Sequence, residues 1–233
     1  MGKQLSLMKS AYLNCGKESR LFCEGTPEVL LVEPIDRNDL DFIDREVDYL
    51  QAQASRSFAL ATFLIEDWNN ELTPWKADAV FGKEPFGNGA LGTLAFIKER
   101  LIPSARLDVP VILGGYSLAA LFALWAGYAD DSFAGIAAAS PSVWYPGWMD
   151  FARSHRPKAE RIYLSLGDAE EKTRNRVMAT VGDCIRQQAA LLEAQGVPHT
   201  LQWNPGNHFK DADLRTARAF LWTLDCCPTG NNC

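Results

Sequence analysis

Apolar residues along this chain gather in short runs that alternate with segments of helical spacing. Residues 28–33, Glu-Val-Leu-Leu-Val-Glu, read as a buried strand. Residues 42–53 read as a helix with Phe42, Val47 and Leu50 on one side, and 57–65 as another strand. The alternation continues with a helix over 89–101 that ends near Pro103, a strand over 111–114, a helix over 118–129 and a strand over 133–139. A strand over 161–166 follows, then an amphipathic helix over 177–195 with Val181, Cys184, Ile185, Leu191 and Leu192 on one side. A strand over 199–203 and a helix over 214–224 close the pattern. Such alternation predicts the α/β class, a mostly parallel central sheet with helices on both faces. The strand runs are apolar throughout, as burial on both faces requires. Residues 1–27 are the least regular and are expected to form an antiparallel hairpin at the sheet edge, and 226–233 a loose tail. There is no repeat, low-complexity segment or linker, so 1–233 is read as one domain.

Composition narrows the classes. A chain of 233 residues that is 47% hydrophobic and 22% charged can build one sizeable core. Its net charge of −6 supplies no basic surface, which argues against nucleic acid or an anionic membrane as partner. No apolar run approaches the roughly 18 residues of a membrane span. The first residues, Met-Gly-Lys-Gln-Leu-Ser, lack the apolar core of a signal peptide, so the chain reads as cytoplasmic. The six cysteines, Cys15, Cys23, Cys184, Cys226, Cys227 and Cys233, form no spaced zinc motif and are read as thiols. Three scattered histidines provide no ligand cluster, and neither metal nor cofactor is expected.

The candidate chemistry centres on Ser117, which stands between the apolar run 110–114 and the apolar run 118–125. A serine at a sharp strand-to-helix turn is held in a strained backbone, and only small residues fit two positions to either side. Gly115 and Ala119 occupy those positions, Ala119 departing by one methyl from the G-x-S-x-G pattern. In parallel sheets chemistry collects in the loops after the strands. There the chain carries Gly167-Asp168-Ala169-Glu170-Glu171 and, further on, Asn204-Pro205-Gly206-Asn207-His208. A serine hydroxyl is a weak nucleophile at neutral pH, so an imidazole must take its proton and return it to the leaving group, while an acid holds the ring's tautomer. Histidine, with an ordinary pKa of about 6.5, suits that shuttle. His208 follows a strand, whereas His155 lies in a polar stretch and His199 opens a strand beside Pro198. Asp168, Glu170 and Glu171 all remain open as the acid.

Several segments in order carry a resemblance: Asn70-Glu71-Leu72-Thr73-Pro74-Trp75, Gly87-Asn88-Gly89-Ala90 leading into 96–103, the run 115–124 around Ser117, Ala139-Ser140-Pro141-Ser142-Val143-Trp144, and Gly206-Asn207-His208. Over about residues 28–224 the chain resembles the esterase D-like branch of the α/β-hydrolases, which includes enterochelin-esterase-like and S-formylglutathione-hydrolase-like enzymes. It departs from that pattern at Ala119 and Ala120, where relatives usually carry glycine. The resemblance implies an α/β-hydrolase fold with Ser117 as nucleophile, His208 as base and Glu170 as acid, three positions after the glycine that ends its strand. Asp168 and Glu171 are the competitors. It also implies an oxyanion hole from the backbone N–H groups of Leu118 and Ile35, since Pro34 has none.

The short connection 144–151 leaves no room for a large cap domain. Trp68 and Trp75, with Trp144 and Trp148, could line an aromatic wall for an acyl chain, aryl ester or sugar ring, or else fill the core. Glu66, Asp67 and Glu71 near the same loop disfavour a highly anionic ferric siderophore. The expected activity is hydrolysis of soluble carboxylic esters through an acyl-enzyme, with a small-molecule ester as partner. The alternatives are an acyltransferase or thioesterase with the same triad, a peptidase, and a catalytically silent binding module on the same fold.

Overall fold

Strand runs with no polar face must be buried from both sides, and the computed structural model, which describes residues 8–226, buries them in this way. Among the described residues one sheet contains β1 (Lys9–Tyr12), β2 (Ser19–Cys23), β3 (Val29–Ile35), β4 (Phe58–Leu64), β5 (Val111–Tyr116), β6 (Gly135–Ala139), β7 (Ile162–Gly167) and β8 (His199–Asn204). Their order is β1-β2-β4-β3-β5-β6-β7-β8. β1 and β2 form an antiparallel hairpin whose second strand pairs antiparallel with β4, and every other neighbour is parallel. This hairpin stands at the sheet edge, within the segment 1–27 expected to form one, of which residues 1–7 lie outside the described residues. Residues 227–233 of the expected tail, with Cys227 and Cys233, lie outside the described residues.

Side chains alternate across the pleat, so each central strand feeds two cores. Val29 and Leu31 of β3, Leu60 of β4, Ile112 of β5 and Tyr163 of β7 face one side. There α1 (Ile43–Gln53) packs against the carboxyl-terminal helix Ala212–Asp225, both covering the sheet. Leu30, Val32, Ala61, Leu113, Ile136 and Leu164 face the other side. That side is covered by α3 (Ala90–Phe96), α5 (Leu118–Ala129), α6 (Trp148–Ser154) and α7 (Val181–Ala194). Numbered with the short α2 (Trp68–Glu71) and α4 (Ile102–Ala105), the carboxyl-terminal helix is α8. The connection from β6 to β7 carries only α6, so no large cap is inserted there.

One helix runs further than expected. The segment from α3 does not stop before Pro103 but continues through a π-turn, Ile97–Leu101, into α4. In that turn the Ile102 N–H donates to the Ile97 carbonyl, five residues back. A proline inside a regular helix clashes with the carbonyl four residues earlier, and a widened turn accommodates the ring. No helix among the described residues is long and apolar enough to cross a membrane.

Candidate active site

β5 ends at Tyr116 and α5 begins at Leu118, so Ser117 makes the whole reversal alone, at φ 59° and ψ −118°. The hydroxyl-bearing side chain is thereby held at the carboxyl edge of the sheet. A Cβ on Gly115 would lie 2.8 Å from the Ala119 Cβ and 3.1 Å from its carbonyl carbon, which explains why the residue two before the serine has no side chain. The turn is tied to its neighbours as well. The Ser117 N–H donates to the Ala139 carbonyl at 3.2 Å, and the Ser142 N–H donates to the Ser117 carbonyl at 3.1 Å.

The loops after β7 and β8 bring the other two groups to this point. His208 Nε2 lies 3.0 Å from Ser117 Oγ, and His208 Nδ1 lies 2.7 Å from Glu170 Oε2. The second carboxylate oxygen, Oε1, accepts from the Gly167 N–H at 2.7 Å, Ser140 Oγ at 2.8 Å and Arg215 Nη1 at 3.0 Å. Burial alone would raise the Glu170 pKa. The bond and charge of His208, with the Gly167 N–H and the Ser140 hydroxyl, outweigh it and hold the carboxyl below its ordinary value. Glu170 therefore stays ionised, as an acid that must stabilise an imidazolium requires. Gly167 permits the close approach, because a Cβ there would sit 2.4 Å from the Gly206 carbonyl oxygen and 2.9 Å from Glu170 Oε1.

The neighbouring carboxylates are engaged elsewhere. Asp168 Oδ1 accepts the Gly206 N–H at 2.8 Å, joining the β7 and β8 loops. Glu171 pairs with Arg186 on α7 at 3.2 Å. His155 stacks on Phe151, with ring centroids 4.2 Å apart, and His199 Nδ1 bonds the Val197 carbonyl at 2.9 Å. Neither approaches Ser117.

A cavity of about 470 Å³ opens on one side of Ser117 and His208, and a recess of about 200 Å³ on the other side of His208. Trp68 lines the first and Trp144 the second. The other two tryptophans leave the expected wall. Trp148 is 0% exposed and donates its Nε1–H to Gln188 in the core, since this large apolar ring packs between Tyr128 and Phe151. Trp75 donates to the Pro146 carbonyl at 2.7 Å and packs on Tyr145 and Phe151. Glu71 pairs with Lys17 and accepts the Glu66 and Asp67 N–H groups, so it braces its loop.

Leu118 opens α5, where a helix leaves its first N–H groups without an intrahelical acceptor. Ile35 lines the cavity, but its carbonyl accepts the Ile65 N–H on the β4 side. In a parallel ladder the N–H and C=O of one residue turn to the same neighbour. The Ile35 N–H therefore points towards β4, away from Ser117 on the β5 side and from the place expected of it in an oxyanion hole. The next N–H, that of Asp36, donates to Asp39 Oδ2 at 2.9 Å.

Four participants escape a reading of the sequence. Ser142 Oγ is 3.3 Å from Ser117 Oγ, and Ser140 bonds the acid. Arg215, 1% exposed on α8, reaches Glu170, the Tyr116 hydroxyl at 3.1 Å and the Pro205 carbonyl at 3.1 Å. The Tyr116 hydroxyl in turn donates to the His208 carbonyl at 2.7 Å, and burial beside Glu170 pushes its pKa up to about 12, which keeps it neutral. The available signal was Arg215 itself, an arginine on the apolar side of the helix read over 214–224.

No protein-family model matches the chain, and no curated protein matches it. Solved structures do. An IroE-like serine hydrolase from Shewanella oneidensis superposes with a TM-score of 0.72 at 16% identity, over 92% of this chain and 79% of that one. The siderophore hydrolase EstA from Aspergillus nidulans gives 0.71 at 18% identity, over 94% of both chains. The enterobactin esterase FES from Shigella flexneri gives 0.64 at 15% identity, over 95% of this chain and 60% of that one. At such identities the likeness is one of architecture, and with the strand order and the turn at Ser117 it gives this chain the α/β-hydrolase fold.

Proposed function

We propose that the protein is a serine hydrolase that cleaves carboxylic esters of small molecules through an acyl-enzyme. The observation that carries this reading is the continuous line from Ser117 Oγ to His208 Nε2 at 3.0 Å and from His208 Nδ1 to Glu170 Oε2 at 2.7 Å. Ser117 attacks the ester carbonyl while His208 Nε2 removes its proton, and Glu170 stabilises the resulting imidazolium. The Leu118 N–H is the first donor to the oxyanion. The Asp36 N–H is the second, exchanging Asp39 for the developing charge. His208 then protonates the departing alcohol, and water, activated by the same imidazole, releases the acid and restores Ser117. The two recesses flanking His208 can each take one arm of the ester. The names of the structural neighbours, a serine hydrolase and siderophore esterases, support ester hydrolysis as the chemistry.

A fluorophosphonate probe should label Ser117 and no other residue, as mass mapping of the labelled peptide would establish. Ser117→Ala should abolish labelling and lower the hydrolysis of p-nitrophenyl esters by about 10³-fold or more. Full activity in Ser117→Ala, or active protein that resists the probe, would refute the assignment.

A further inference from the structure

The cavity beside Ser117 is acidic in a way that triad chemistry does not need. Among its described lining residues, Glu33, Asp36, Asp39, Glu46, Asp211 and Asp213 face a single cation, Arg45. Two of these carboxylates are deeply buried, Glu33 on β3 at 5% exposure and Glu46 on α1 at 3%. Glu33 and Glu46 hydrogen-bond each other, and Glu33 Oε2 and Glu46 Oε1 receive no bond from any other donor among the described residues. Arg45 does not answer them, because it reaches Asp211 and Asp213, both at 3.3 Å. Asp39 is occupied by the Asp36 N–H. Unmatched carboxylates at this depth are costly unless they hold a proton or meet a positive donor. Trp68 and Phe42 line the same cavity, Phe42 at 53% exposure, and offer apolar faces on which an organic cation is favourable. Among the described residues no group of three or more histidine, cysteine or carboxylate side chains is arranged to hold a metal ion.

We infer that this cavity selects esters bearing an alkylammonium or guanidinium group, whose charge is received by Glu33 and Glu46 and whose carbon stem lies along Trp68 and Phe42. The word ester rests on the proposed hydrolase activity, whereas the cation site stands on the cavity alone. Burial, with Asp39 and Asp213 nearby, pushes Glu33 up to about 8 and Glu46 well above the carboxylate range, so at neutral pH each carboxyl holds a proton. An arriving ammonium favours the ionised carboxylate, donates to it in place of the acid proton, and each proton it displaces leaves to solvent.

The test compares 5-aminopentyl acetate with hexyl acetate, in which a methyl replaces the ammonium. In the wild-type protein kcat/KM should favour the aminopentyl ester by about tenfold or more, the scale of one charge-assisted hydrogen bond. Glu33→Gln and Glu46→Gln, nearly isosteric, should bring the ratio of the two esters close to one, with circular dichroism confirming the fold. Calorimetry on Ser117→Ala measures binding without turnover, and the aminopentyl ester should bind more tightly there by a similar factor. Equal treatment of the two esters in both assays overturns the inference and marks Glu33 and Glu46 as a proton-sharing pair only. Retention of the preference in both glutamine variants also overturns it, as does tight binding of calcium chloride in place of the amine. Selective binding to Ser117→Ala with no turnover of either ester by the wild type supports the cation site and defeats the hydrolase reading alone.

Discussion

At the scale of single residues, the three carboxylates in the loop after β7 differ only in what they touch. Glu170 meets His208, while Asp168 closes a turn onto Gly206 and Glu171 pairs with Arg186. Replacing the acid by its amide leaves the shape but favours the wrong imidazole tautomer. Glu170→Gln should therefore lower kcat by something on the order of 10⁴-fold. Asp168→Asn and Glu171→Gln, which lose a loop contact and a surface ion pair, should cost far less. The comparison is kcat/KM on one activated ester, with circular dichroism as the folding control. A severe Asp168→Asn would show that the aspartate, not Glu170, orients the histidine.

At the scale of elements, the unit that matters is β5, the turn at Ser117 and α5. Here the departure from the usual glycine at 119 has a local consequence. The Ala119 methyl occupies the space that a Cβ on Gly115 would need, 2.8 Å away. Gly115→Ala should destabilise the protein by about 1–3 kcal/mol, the usual cost of overpacking. It should also lower activity by shifting Ser117 against His208. Ala119→Gly in the same chain should recover part of both losses, because it removes the methyl at 2.8 Å and leaves the backbone carbonyl carbon at 3.1 Å. Chemical denaturation of the two single variants and the double variant gives the coupling. A double variant no more stable than Gly115→Ala would place the strain elsewhere in the turn.

At the scale of the whole molecule, two sets of carboxylates act on stability in opposite directions. Glu170 is held below its unfolded pKa, so its contribution is present above that value and is lost as the pH falls through the folded one. Glu33 is raised to about 8, so the folded protein binds a proton that the unfolded chain releases from about pH 4.5 upward. That contribution is complete in acid and is lost as the pH rises through about 8. Thermal unfolding of the wild type should therefore move to lower temperature between pH 6 and pH 9, and Glu33→Gln should lose less over the same interval. About 1 kcal/mol corresponds to about 2–4 °C in a chain of this size, so the difference is measurable. A parallel decline in both proteins would mean that Glu33 does not carry the alkaline loss. A smaller decline in Glu33→Gln would mean that this glutamate of the proposed cation site is kept at some cost in stability, a relation common at binding sites.

Alternation of apolar runs with helical spacing was enough to give the α/β class, most of the elements and the turn at Ser117, because nearest neighbours along the chain dictate strand, turn and helix. The same logic picked out His208 as the candidate base, the one histidine of three that follows a strand. The acid among Asp168, Glu170 and Glu171 could not be settled in this way. Three carboxylates in four positions share the same local chemistry, and what sets Glu170 apart is its contact with Ser140 on a neighbouring loop and Arg215 on α8, distant in sequence. Ile35 looked available as an oxyanion donor until its pairing with β4 turned its N–H away. Trp148 and Trp68 are equally apolar in sequence, yet one fills the core and the other the cavity, because packing between elements decides burial. The acidic floor is the furthest from local legibility: Glu33 sits in an apolar strand and Glu46 in an amphipathic helix, and only the packing of α1 with α8 over one face of the sheet brings both to the cavity that Ser117 also lines.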